Sequence, residues 1–168
     1  GCSASYATPT RVAGRTLNES VVKRLVTGDE ITSVGGDGGG LSASVEDLRE
    51  FVETIDPSQT EGVESWFSLS LASGDGPGLI LTIKRFTTTV LANQSMAIIE
   101  SGGAFKVMEN RVGERSALSP ANPDIGASIT FVENAMSVSI QLPVTTNGAT
   151  LLDERQLTAL AQIIADRL

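Results

Sequence analysis

Ser128-Ile129-Thr130-Phe131-Val132-Glu133-Asn134-Ala135-Met136-Ser137-Val138-Ser139-Ile140-Gln141-Leu142 is the stretch that decides how this chain folds. Ile129 and Phe131 alternate with Ser128 and Thr130. Beyond Glu133-Asn134, Met136, Val138, Ile140 and Leu142 alternate with Ser137, Ser139 and Gln141. Period two on both sides of a turn predicts an antiparallel hairpin with one apolar face. Pro143 ends the second strand because it cannot donate to the ladder. A helix then runs to the end of the sequence, with Leu157, Leu160, Ala161, Ile164 and Leu168 on one stripe. Asp153 with Gln156 has the spacing of a capping box for that helix, and Thr150 with Asp153 is a second possible start. A one-sided sheet and a one-striped helix can hide their apolar faces on each other.

Working outward, the 168 residues suffice for one domain with a proper core and not comfortably for two. No run approaches the roughly 18 apolar residues of a membrane span. A formal charge of −8 argues against a nucleic-acid partner and against electrostatic docking to an anionic bilayer. The sequence has no histidine and one cysteine. Ser-His-Asp and Cys-His catalysis, histidine-held metals and an intrachain disulfide are thereby excluded within this chain. No cofactor or metal site is expected.

Gly1 rather than methionine opens the sequence, which reads as a processed or trimmed chain. Gly1-Cys2 followed by small and polar residues has two readings. In one, Cys2 ends a bacterial lipobox and carries a lipid, and residues 1–15 are a flexible tether. In the other, Gly1 is a cloning remnant and Cys2 is incidental. The lipid-bearing reading is adopted, with residues 16–168 as a single α+β domain.

A helical stripe of Leu17, Val21, Val22, Leu25 and Val26 comes next, and Thr27 with Glu30 predicts a cap for a short second helix. The run Gly35–Gly40 lacks the Gly-Lys-Ser/Thr of a phosphate loop and reads as a linker. Ser44 with Asp47 predicts a further helix through Val45, Leu48, Val52 and Ile55, stopped by Pro57. Strands are expected around Trp66–Leu71 and Leu79–Lys84, joined by a turn at Gly74–Gly78. A helix over Thr88–Glu100 ends at Gly102-Gly103. Phe105 to Val112 is expected as a fifth strand, and 113–126 as a loop.

The expected fold is therefore α+β: an antiparallel sheet of about five strands with helices packed on it. The expected core is Leu48, Val52, Phe67, Leu69, Leu81, Ile83, Phe131, Val138, Ile140, Leu157, Leu160 and Ile164. Trp66, out of phase with Phe67, belongs either to plain packing on the other face or to a ligand groove.

Leu25-Val26-Thr27-Gly28-Asp29-Glu30-Ile31, with Gly35 after it, resembles the opening helix of the small actinobacterial cell-envelope lipoproteins of unknown function. Val112-Gly113-Glu114-Arg115-Ser116-Ala117 resembles the Gly-Asp-x-Ala turn before their last hairpin and C-terminal helix. Those families look like relatives of the PsbP-like fold, so the resemblance implies an envelope binding or accessory domain. It carries over no catalytic residue. The sequence departs from that pattern in lacking the cysteine pair common in such lipoproteins, and the helix expected from Val45 to Ile55 has no counterpart there.

The leading expectation is a non-enzymatic, extracytoplasmic lipoprotein, anchored to the membrane through Cys2, that binds an envelope protein. Arg111, Glu114 and Arg115 are the candidate partner-binding residues. The alternative is a carrier for a small apolar ligand or lipid, with Trp66, Ile80 and Met96 lining the cavity. A carboxylate-based hydrolase comes third. Glu109, Glu114 and Asp124 would supply its acid and base, although Arg111 and Arg115 in the same loop also let it read as a solvated surface of ion pairs. Asn18-Glu19-Ser20 and Asn93-Gln94-Ser95 match a glycosylation acceptor, idle in a bacterial protein.

Overall fold

The computed structural model describes residue 12 and residues 14–109 and 111–168. Cys2 and most of the expected tether lie outside the described residues. The chain is α+β, with one antiparallel sheet of seven strands in the order β1-β2-β3-β7-β6-β5-β4. The elements in chain order are α1 (Glu19–Lys23), α2 (Gly28–Ser33), β1 (Ser42–Asp47), α3 (Arg49–Ile55) and a single 3₁₀ turn at Pro57–Thr60. Then come β2 (Val63–Ala72), β3 (Leu79–Phe86), α4 (Thr89–Ser101), β4 (Lys106–Val107), β5 (Arg115–Ser119), β6 (Ser128–Glu133), β7 (Met136–Gln141) and α5 (Glu154–Arg167).

The β6–β7 hairpin pairs Phe131 with Val138 and Ile129 with Ile140, as the alternation predicts. Its two-residue turn, Asn134-Ala135, has φ values of 48° and 63°. Two successive positive φ angles make the turn whose twist matches that of the strands it joins. On one face of the sheet, Phe67, Leu69, Leu81, Ile83, Phe131, Val138 and Ile140 form the main core with Leu157, Leu160 and Ile164 of α5. Both components of the Asp153–Gln156 capping box are in place at the start of α5. At its end, Arg167 donates to the Leu25 carbonyl (2.7 Å) and to Glu30 (2.8 Å), fastening α5 to α2. Among the described residues no helix is long and apolar enough to cross a membrane.

Four expectations are corrected. The sheet has seven strands rather than about five, because the chain gains β1 and β5 where a helix start and a loop were expected. Residues 42–47 are a strand: Ala43 and Val45 pack toward the core while Ser42, Ser44 and Glu46 are exposed. Ten-residue β2 offers them a full ladder, from Ser42↔Ala72 to Asp47↔Phe67, and those backbone bonds outweigh the local capping pattern. The helix starts only at Arg49, with Asp47 accepting from the Arg49 N–H (3.1 Å). Leu48 and Val52 are consequently half-buried rather than core, and no residue of α3 is buried.

The fifth strand is likewise displaced. Only Lys106–Val107 is strand, and the paired stretch is Arg115–Ser119 in the expected loop. There Ser116 faces Phe131 and Ala117 faces Thr130, and small side chains of both kinds are buried. The fourth correction concerns the hairpin's apolar face. Thr130 and Val132 on the opposite face of β6 are also buried. They are covered by α4, whose Ala92 and Met96 form a second core with Val63, Phe86, Ala117 and Val132. The first helix is shorter than its apolar stripe, since Asn18 caps it and Thr27 starts α2. All five stripe residues are nevertheless buried.

Candidate functional site

Two regions of the sheet carry side chains that the fold does not use up. The first lies on the α4 face. That helix covers one end of the face, over Ala117, Val132 and Phe86. Next to it, Glu46, Ser68, Thr82 and Ser139 line up across successive strands and run into the covered Thr130 and Ala117, and the following row is Ser44, Ser70, Ile80, Gln141, Ser128 and Ser119. Members of this second row are exposed or half-exposed. It is a shelf mostly of small hydroxyl side chains, with Ile80 and Gln141 among them and Glu46 at its edge. Thr130 and Ser139 bond each other across the strands (3.2 Å).

Where shelf and helix meet, Trp66 pairs with Lys84. The Lys84 ammonium lies 3.9 Å from the centre of the Trp66 ring. Burial pushes the Lys84 pKa down, since desolvation penalises its charge. The ring quadrupole offsets part of that cost. The Trp66 indole N–H is buried and has no partner among the described residues. Of the residues expected to line a carrier cavity, Trp66 packs at the edge of the second core and Met96 is fully buried within it. Ile80 stands four residues from Lys84 along β3, on the open shelf.

Of the expected partner-binding trio, Arg111 and Glu114 stay close through a long bond from Arg111 to the Glu114 carbonyl (3.5 Å), and Arg115 turns away. Arg115 spans from β5 to α4, where it grips both carboxylate oxygens of Glu100 and donates to the Asn93 carbonyl (3.3 Å). The bonds from Arg115 hold the Glu100 carboxyl below its usual range. Glu114 accepts from the Asn134 N–H (3.1 Å) at the tip of the β6–β7 hairpin. Arg111 faces the α5 side and lines two adjoining clefts there.

The smaller cleft, about 350 Å³, gathers Arg111, Glu133, Asn134, Gln162 and Asp166. Burial raises the Glu133 pKa above its usual 4.5, and repulsion from Glu114 and Asp166 adds to it. The larger cleft, about 630 Å³, runs between α5 and the outer strands, over Met108, Val112 and Leu118. Glu109 lines this larger cleft, while Asp124 borders a separate hollow beside Pro143, so the loop's acids do not converge. Among the described residues no group of three or more acidic or cysteine side chains is placed to hold a metal ion.

Sequence reasoning missed Lys84, Glu133 and the large cleft. The Trp66–Lys84 pair was within reach, because a hairpin turning at Gly74–Gly78 sets those two residues opposite each other. The cleft depends on β5, where the sequence predicts a loop. No protein-family model, no curated protein and no solved structure matches this chain.

Proposed function

We propose that this chain is a non-enzymatic, PsbP-like lipoprotein domain of the cell envelope, held outside the cytoplasm by a lipid on Cys2, that binds a protein partner with the open part of its sheet. The observation that carries the reading is the uncovered hydroxyl shelf beside α4. An antiparallel sheet commonly leaves one face polar and solvated, and charged side chains, lysine above all, guard its exposed edges. Here the exposed strip instead presents small side chains on rigid strands, with Ile80 among them and Val107 and Ile98 exposed on neighbouring elements. Small side chains lose little conformational entropy on docking, and a rigid frame loses none of its own.

The path of the chain supports the anchoring half. Val12 is buried and donates to the Arg167 carbonyl (2.8 Å), while Arg85 donates to the Val12 carbonyl (3.0 Å). Nine residues lie between Cys2 and Val12, so the ten steps that join them reach at most about 35 Å.

Photo-crosslinking in cells tests the docking face. A crosslinking residue at Ser70 or Ser139 should trap one discrete partner band, whereas one at Glu154, on the opposite face, should trap none. Equal labelling from all three positions defeats the proposal. Anchoring is read separately, from the mass of the mature protein made from the full-length gene. An unmodified Cys2 refutes the lipid without touching the docking face.

A further inference from the structure

We propose that the groove between α5 and the β4–β5 edge binds a single-chain amphiphile with a carboxylate head. It lies on the sheet face opposite the hydroxyl shelf and is independent of the partner reading. The groove encloses about 630 Å³, within the range of about 300–1,000 Å³ usual for small-molecule sites. Its origin is a mismatch of layers. α5 spends its apolar stripe over the central strands, with Leu157, Leu160, Ala161 and Ile164 fully buried. On this face the two outermost strands extend past it with no helix over them, α4 lying on the other side of β5. Met108 and Leu118 are left half-exposed, with Val112 beneath and Ala159 of α5 as the wall. Apolar side chains flooring an open trough favour an alkyl chain, and methionine adapts to its shape.

The head group follows from the charges at the rim. Arg49, Arg115 and Arg167 each have a carboxylate partner. Arg111 and Arg155, which line the groove, have none among the described residues. Arg111 makes one long bond, to the Glu114 carbonyl at 3.5 Å. Arg155 sits in the first turn of α5, where the helix's positive end opposes a cation. The helix dipole therefore gives no reason for an arginine there. Glu109 and Glu154 share the rim. Glu154 occupies the same first turn, which already favours it, and Glu109 is exposed. A carboxylate arriving at the rim meets two unpaired guanidiniums and the positive end of α5. A neutral or cationic head leaves those groups unpaired.

Titration of the isotope-labelled protein with dodecanoate below its micellar concentration tests this by amide resonances. Saturable shifts centred on Met108, Leu118 and Ala159 are expected. Arg111→Ala and Arg155→Ala should each weaken binding by about tenfold, the loss of one charge-assisted contact. Ala159→Trp, at an exposed helix position, should fill the trough and abolish binding while the circular dichroism stays unchanged. Equal affinity for dodecyl maltoside overturns the carboxylate head. Absence of saturation, binding indifferent to Ala159→Trp, or a concentration-dependent dimer that Ala159→Trp abolishes overturns the ligand site. None of these substitutions lies on the hydroxyl shelf, so failure here leaves the partner reading standing.

Discussion

Ala135 holds a backbone conformation that its side chain resists, with φ at 63°. A left-handed alanine costs roughly 1–2 kcal/mol, and glycine removes that cost while adding freedom to the unfolded chain. Ala135→Gly creates Asn-Gly, the pair best suited to this turn. It should stabilise the protein by about 0.5–1 kcal/mol, visible as a higher urea midpoint with an unchanged slope. Glu133, one residue before the turn, makes a second prediction at this scale. Its folded pKa lies above the usual 4.5, so the fold binds the protonated form more readily than the unfolded chain does. Its favourable contribution is complete below pH 4.5 and is lost as pH rises through the folded pKa. Glu133→Gln should therefore raise stability at pH 7, with a gain that shrinks toward zero in melts at pH 4. A gain of equal size at both pH values contradicts the assignment. Neither residue stood out in the sequence. Asn134-Ala135 lacks the glycine that announces such turns, and the burial of Glu133 and its crowding by Glu114, with a smaller part from Asp166, arise only once the strands and α5 are packed.

At the scale of elements, legibility followed the strength of the periodicity. The β6–β7 hairpin and α5 were readable because alternation and stripe ran long enough to exclude other structures. Residues 42–55 misled because Val45, Leu48 and Val52 happen to keep helical spacing while Ala43 and Val45 also alternate. The choice between them is made by β2, whose ladder needs a partner. Nothing local to the segment records that need. β5 was hidden for another reason: Ser116 and Ala117 are buried because they are small, and small residues give almost no hydrophobic signal. The hairpin's core face makes the test. Ile140 is fully buried, so Ile140→Ala should cost about 2–5 kcal/mol. Ser139, on the half-open shelf, accepts a hydrogen bond from buried Thr130, so Ser139→Ala should cost only about 1 kcal/mol. Equal shifts of the two midpoints would mean that the faces are reversed.

The whole molecule combines a packed sheet with an acid-rich surface, and that combination bears on catalysis. The sequence made histidine-based chemistry impossible but left carboxylates open, and the structure narrows that choice to the cleft holding Glu133. A general acid near neutral pH needs its pKa raised by burial or by like charge, and Glu133 has both. Hydrolysis also needs a second group on the far side of a bound substrate. Glu114 is already engaged by the Asn134 N–H, and Asp166 accepts from Gln162 at 2.8 Å along its own helix. The cleft, about 350 Å³ and lined almost wholly by polar groups at a helix end, offers little apolar surface to hold a substrate. We therefore expect no turnover above background on ester, glycoside or peptide panels between pH 4 and 8. Turnover that disappears in Glu133→Gln, while that variant melts no lower than the parent, would establish an enzyme and displace the binding reading. Stability and activity separate the two cases, because relieving the charge crowding should strengthen the fold whichever is true.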